Sequence, residues 1–501
     1  LDGRVNDLPH RIRAALLAAD FTHDAVADLL GPLAHAALGR NETTPGLRRT
    51  AGGSPLETLT RLFLLQVPVT RAHADAALPG LVDAMAAEGL LTTTVGEVAA
   101  RLDLRPYAAA DAAGVRDLWV VSDLTPGLDA APNRVGPEHV LGISSASTSL
   151  AQLTVRHPVG RALDLGTGCG VQALHLAAHA DRVVATDVNP RALRIARLNA
   201  ELNDVADRVE VRDGSFFEPV AGETFDLVAT NPPFVISPAT GERLVYRDSG
   251  LPGDRAVEDI VRGLPDVLAP GAWGQVLANW VVARGRPWDE RLGAWLDDRC
   301  DALVVQREVL DPAAYVELWL RDSGHHLAPD YTRRYDTWLS WLEDQGVEAV
   351  GFGWIDLHRT DAGSGTRHEL LDWPWEVEQP VAPAVAAWGD AVAALRDVDD
   401  AALLAAHARV AEDVRQETHG APGEADPETI VLRRQRGLRR ARPVDTVEAG
   451  LVGAADGDLP LGRILDALAT LLGRDAGALR EGYLPVVRDL VREGFLTLQR
   501  T

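Results

Sequence analysis

At 501 residues the chain exceeds one ordinary domain, so two to four folding units are expected. Its formal net charge of −24 excludes long-range attraction to nucleic acid as a property of the whole molecule and leaves only a local patch for that purpose. No run approaches the ~18 uncharged apolar residues of a membrane span, and Cys169 and Cys300 are too few for a disulfide framework or a cysteine zinc cluster. A cytoplasmic protein with no membrane attachment and no metal is the expectation. Every basic residue is arginine, which reads as codon usage.

From the N-terminus, Ser54-Pro55-Leu56-Glu57 forms a capping box with proline at the first helical position, opening a helix that buries Leu59, Leu62 and Phe63. A second helix ends at Glu88-Gly89 and passes into Leu90-Leu91-Thr92, where glycine permits the left-handed turn. β-rich pieces follow around residues 96–99 and 118–122. Helices closed by a hairpin are a winged-helix pattern, assigned to residues 1–130. Near the C-terminus Glu493-Gly494-Phe495-Leu496-Thr497 repeats the same grammar.

Residues 131–375 alternate β and α. Apolar runs end at Leu165, Thr186, Val211 and Thr230, and three more lie at 273–282, 302–309 and 347–357. This predicts an α/β fold with a seven-stranded, Rossmann-like, mainly parallel sheet and helices on both faces. Residues 376–501 are assigned to an acidic helical stretch followed by a second winged-helix-like module. Val385, Trp388, Val392 and Leu395 recur at helical spacing, as do Leu403, His407, Val410 and Val414. Residues 420–427 read as a linker. His325 and His326 read as solvated or locally bonded.

Four elements carry chemistry, each at the carboxyl end of a successive strand, where open α/β sheets bind ligands. The first is Asp164-Leu165-Gly166-Thr167-Gly168-Cys169-Gly170. Its glycines permit a tight strand-to-helix turn and a close ligand approach, and the following helix would point free N–H groups at the ligand. The spacing is Gly-x-Gly-x-Gly, not the dinucleotide Gly-x-Gly-x-x-Gly, and the preceding acid repels a pyrophosphate. That acid suits a cationic amino group such as the one on the methionine part of S-adenosylmethionine.

Asp187, the second element, stands where a carboxylate accepts both ribose hydroxyls, although an N-terminal helix cap explains it too. The third is Asp213-Gly214-Ser215-Phe216, a candidate for the adenine amino group with Phe216 on the ring, weighed evenly against a plain turn.

The fourth, Asn231-Pro232-Pro233-Phe234, suits a planar amide or aniline-like nitrogen, a poor nucleophile whose lone pair is delocalised. The Asn231 side-chain oxygen and the Pro232 carbonyl can accept its two N–H bonds. Successive prolines hold those acceptors in place, and Phe234 can lie over the planar group.

With these elements in place, residues 140–280 resemble the class I S-adenosylmethionine-dependent methyltransferases that carry an (Asn/Asp)-Pro-Pro-(Tyr/Phe) motif. The resemblance implies that Asp164, Gly166, Thr167, Gly168 and Gly170 hold the methionine part, and Asp187 the ribose. It also gives Asp213, Gly214, Ser215 and Phe216 to the adenine, and Asn231, Pro232, Pro233 and Phe234 to the target nitrogen. Within that group the chain is most similar to the HemK/PrmC-type protein-glutamine N5-methyltransferases, which act on release factors. The run Tyr246-Arg247-Asp248-Ser249-Gly250-Leu251-Pro252-Gly253-Asp254 stands where those enzymes carry a glycine-rich, acidic loop, while Phe234 stands where they usually have tyrosine.

A protein substrate, such as a release factor, is therefore expected. RNA is the alternative partner, through methylation of adenine N6 or guanine N2. Six arginines between Arg433 and Arg442 favour RNA if they track phosphates, but local pairing with the acidic residues 376–428 explains them slightly better. A small-molecule acceptor, a non-catalytic scaffold and a homodimer through the flanks complete the alternatives.

Overall fold

The computed structural model describes residues 7–111, 114–131, 135–238, 245, 247–248, 250–360, 365–422 and 427–499. Seven expected apolar runs are strands of one sheet: β1 (Val159–Leu165), β2 (Ala180–Asp187), β3 (Val209–Asp213), β4 (Phe225–Thr230), β5 (Leu268–Ala283), β6 (Cys300–Leu310) and β7 (Val347–Arg359). The sheet has eight strands, not seven, because β8 (His368–Asp372) adds beside β6. β8 escapes a sequence reading because its residues are only half-buried, so the edge strand lacks an apolar signature. The order is β3-β2-β1-β4-β5-β7-β6-β8, with β7 antiparallel to both its neighbours and every other pairing parallel.

Successive residues of each strand serve opposite cores, as the pleat requires. Ala162, Val183, Leu227, Val305 and Trp354 face one core, filled by helices α1 (Ser145–Leu153), α2 (Val171–Leu176) and α3 (Pro190–Leu202). Leu163, Val184, Val228, Val304 and Ile355 face the other, filled by Val257, Ile260 and Leu264 of α4 (Arg255–Val267). Gly351 and Gly353 in β7 leave room for the buried Trp280 indole, since a Cβ at Gly351 would meet its nitrogen at 2.3 Å.

The N-terminal region packs helices against a three-stranded antiparallel sheet of Val69–Thr70, Glu97–Ala100 and Leu91–Thr94. The Ser54 capping box forms, and Leu59, Leu62 and Phe63 are buried. A separate long hairpin, Leu102–Asp111 with Gly114–Asp123, leads on toward the central sheet.

Two expectations for the C-terminal region are corrected. Leu403 ends up on the short helix Asp400–Ala405, but His407 and Val410 bound a strand and Val414 starts another, Val414–His419. Here pairing with Asp456–Pro460 and Leu496–Leu498 overrides local periodicity. The expected linker 420–427 falls between two paired strands of one hairpin, Val414–His419 and Thr429–Arg434, and not between separate modules; its residues 423–426 lie outside the described residues.

The helix Ala382–Arg396 lays Val385, Trp388 and Val392 on the central sheet. Its Trp388 indole donates to Glu369 at 2.7 Å, and Arg396 pairs with the fully buried Asp301. Among the described residues no helix is long and apolar enough to cross a membrane.

Candidate active site

The parallel strands β1, β2 and β4 end in register, with Leu165 beside both Thr186 and Thr230. Their following loops therefore converge on one cavity, lined by residues 164–169, 186–189, 214–216 and 230–233 among others. Gly166 and Gly168 turn at φ +77° and +54°, and open space lies where a Cβ would stand on either. Gly170, at φ +87°, meets α3 instead, where a Cβ would touch Ala196 at 3.2 Å.

Asp164 is buried and braces its own loop. Its Oδ2 accepts the Thr167 hydroxyl at 2.5 Å and the Ala173 N–H at 3.0 Å. One of the free N–H groups expected to face a ligand is thus satisfied within the protein. Burial, chiefly, pushes the Asp164 carboxyl up to about 7; the two hydrogen bonds oppose that and the nearby Asp187 adds to it. Asp187 Oδ2 accepts the Gly168 N–H and its Oδ1 the Asn189 N–H, each at 2.9 Å. Burial raises its pKa too, against the pull of the backbone donors. The cap of α3 is Asn189, so Asp187 is free of that role and stands on the cavity wall.

Asn231, Pro232 and Pro233 line the same cavity. The Asn231 Oδ1 is buried and accepts no hydrogen bond among the described residues. A buried oxygen without a donor costs ~1–3 kcal/mol, which a bound N–H would recover. Gly214, Ser215 and Phe216 also line the wall, with Phe216 at a positive φ of 45°.

Two expected residues stand elsewhere. Asp213 is exposed at the end of β3, paired in register with Asp187, and is not part of the wall. Phe234 also lies outside it, edge-on to Trp319 with ring centroids 6.4 Å apart. Of the acidic loop that follows, Tyr246 and Ser249 lie outside the described residues. Asp254 lies buried against Arg291 and the Val281 N–H.

Five of the six arginines of the run pair locally. Arg433 pairs with Glu417, Arg434 with Asp413, Arg439 with Glu376, Arg440 with Glu369, and Arg442 with Glu448 and Glu493. Local pairing, the other reading of the run, accounts for these five. His325 bonds locally to Ser323 at 2.7 Å.

One wall of the cavity escaped sequence reading: His139, Val140, Leu141, Gly142, Ser144 and Ser147. Asp123, at the end of the N-terminal hairpin, holds this segment. It accepts the Val140 N–H at 2.8 Å, pairs with Arg191 of α3 and faces His139 at 3.7 Å. Burial lowers the His139 pKa. The usable signal was the cap of α1, where Ser144 and Ser147 form a capping box; serine in place of the usual Glu or Gln at its fourth position conceals it.

Comparison with known proteins agrees with this geometry. Residues 142–247 match the family described as "Methyltransferase small domain". Residues 18–101 and 386–498 match two families described as domains of unknown function (DUF7059 and DUF7782). The chain is 35% identical over 132 residues to a release factor glutamine methyltransferase of Xylella fastidiosa, covering 24% of this chain and 47% of that protein. It is 33% identical over 144 residues to a ribosomal protein uL3 glutamine methyltransferase of Bradyrhizobium diazoefficiens, covering 26% and 44%. The chain thus spans about half the length of the curated relatives it matches. A solved rRNA methylase from Streptococcus thermophilus aligns at 13% identity over 44% of this chain and 100% of that chain, with a TM-score of 0.25. The central sheet and its cavity define an S-adenosylmethionine-dependent methyltransferase domain.

Proposed function

We propose that the protein transfers a methyl group from S-adenosylmethionine to the side-chain nitrogen of a protein glutamine, in the manner of the release-factor enzymes it resembles. The observation that carries this reading is the buried, unpartnered Oδ1 of Asn231 on the wall of the cavity that holds the glycine loop and Asp187. These residues fit the cofactor. Gly166 and Gly168 leave backbone open to it, Asp187 offers a carboxylate to its ribose, and Asp164 offers one to its amino group. Bound there, S-adenosylmethionine supplies an electrophilic methyl group on a sulfonium centre.

The protein's own contribution is positioning and electrostatics. Asn231 Oδ1 accepts one N–H of the primary amide and the Pro232 carbonyl the other, which turns the nitrogen lone pair toward the methyl group. Asparagine has no basic site, so the proton leaves to solvent after transfer. Phe234 and Asp213 complete the site in this reading only by moving toward the acceptor and the adenine. The winged-helix-like flanks serve as docking modules for the protein substrate. Local pairing of five of the six arginines between Arg433 and Arg442 leaves that run as weak support for an RNA acceptor.

The test is incubation with radiolabelled S-adenosylmethionine and cell extract. Label is expected in protein, at glutamine, and Asn231→Ala abolishes transfer while retaining cofactor binding. Label in RNA, or transfer surviving Asn231→Ala, overturns the reading.

A further inference from the structure

We infer that Asn199 is a positioning residue that ties the cofactor loop to the N-terminal hairpin, an inference that rests on the loop being the S-adenosylmethionine site. Asn199 lies on α3 and is 0% exposed. Its Oδ1 accepts the Val121 N–H at 2.8 Å, and its Nδ2 donates to the Val121 carbonyl at 2.8 Å and to the Cys169 carbonyl at 2.7 Å. A carboxamide has two N–H donors, and both are spent, one on each partner. Cys169 sits between Gly168 and Gly170, both in the left-handed region. Glycine backbone is sterically permissive, so the loop takes its shape from such tethers.

One turn along the helix, Asn203 makes the same two bonds to the hairpin and none to the loop. It accepts the Trp119 N–H at 2.9 Å and donates to the Trp119 carbonyl at 2.7 Å, but its second N–H goes to the Asn199 carbonyl at 2.8 Å, within its own helix. The spacing is geometric. Four helical residues advance about 6.0 Å and two strand residues about 6.6 Å, so side chains four apart meet strand residues two apart. The two asparagines therefore form a matched pair, equal in hydrogen bonds to the hairpin and different only at the cofactor loop. Movement of the hairpin strand is felt at Cys169 through Asn199 and not through Asn203.

The test measures S-adenosylmethionine binding by calorimetry for the full chain, Asn199→Ala and Asn203→Ala, with melting temperatures alongside. Both variants lose three hydrogen bonds and are expected to lose similar thermal stability. Kd is expected to rise tenfold or more for Asn199→Ala and less than twofold for Asn203→Ala. Equal changes in Kd, or none, overturn the inference, whereas absence of binding by the unaltered chain overturns the cofactor reading beneath it. Should Asn199→Ala not fold, amide exchange of the unaltered chain decides. Adding S-adenosylhomocysteine is expected to slow exchange at the Val121 N–H more than at the Trp119 N–H, and an equal response at both overturns the inference.

Discussion

The Thr230 hydroxyl donates to the carbonyl oxygen of Leu165 at 2.7 Å, with the Thr230 side chain fully buried. This bond joins the last residue of β4 to the last residue of β1, one residue before Asn231 and one before Gly166. The Asn231-Pro232-Pro233-Phe234 segment and the glycine loop are thereby held in a fixed relation. Thr230→Val keeps the shape and removes the bond. It is expected to cost about 1 kcal/mol of stability and to slow methyl transfer more than it weakens cofactor binding. Thermal denaturation with single-turnover transfer checks this; a fall in cofactor affinity alone would show that the bond serves only the loop.

Asp187 has its carboxylate oriented in advance by the Gly168 and Asn189 N–H groups. Asp187→Ala is expected to weaken S-adenosylmethionine binding by ~1–3 kcal/mol, the worth of charged hydrogen bonds. Unchanged affinity by calorimetry would remove Asp187 from the site.

Asp164, placed against the cofactor's amino group in the proposed function, is expected to set a pH dependence on the same binding step. With its carboxyl pushed up to about 7, the protein without cofactor holds a proton there below that pH. A cationic amino group favours the ionised form, so binding releases the proton and affinity falls as pH drops below about 7. Calorimetry at pH 6 and pH 8 in buffers of different ionisation heat should show proton release at the lower pH. Affinity independent of pH across that window would mean that Asp164 serves only to brace the loop.

A second buried carboxyl, Asp356, bears on stability. Asp356 of β7 accepts the Gln275 amide at 2.7 Å through Oδ1, while its Oδ2 is buried without a partner among the described residues. Burial pushes it up to about 7 from an ordinary 3.8. The native state therefore binds more protons than the unfolded chain between those values, so this group's contribution to stability falls as pH rises from about 4 to about 7 and is flat above. Asp356→Asn removes the ionisable group and keeps the Gln275 bond. It is expected to raise the melting temperature at pH 8 more than at pH 5, and an equal effect at both would rule out ionisation as the cause.

Much of the site was legible because its residues follow strands in chain order. Gly166, Gly168, Asp187 and Asn231 could be placed by local pattern alone, since a parallel sheet puts every strand's carboxyl end on one edge. Asp213 and Phe234 show the limit of that logic. Both follow strands correctly, yet a side chain's direction depends on neighbours distant in sequence, such as Trp319 beside Phe234. Nor did any local pattern tell that Arg433 and Arg434 meet Glu417 and Asp413, because strand pairing brings those charges together.

The sequence by itself determined the alternation of strands and helices, seven of the eight strands and the run of motifs that lines the cavity. These depend on hydrophobic period and turn chemistry, which act over a few residues. Only the tertiary structure decided what closes the cavity and what steadies it. The segment around His139 is tied to Asp123, which pairs with Arg191, and the glycine loop is hydrogen-bonded at the Cys169 carbonyl by Asn199. Those contacts join residues 17 to 68 positions apart, and no local pattern encodes a hydrogen bond made across such a distance.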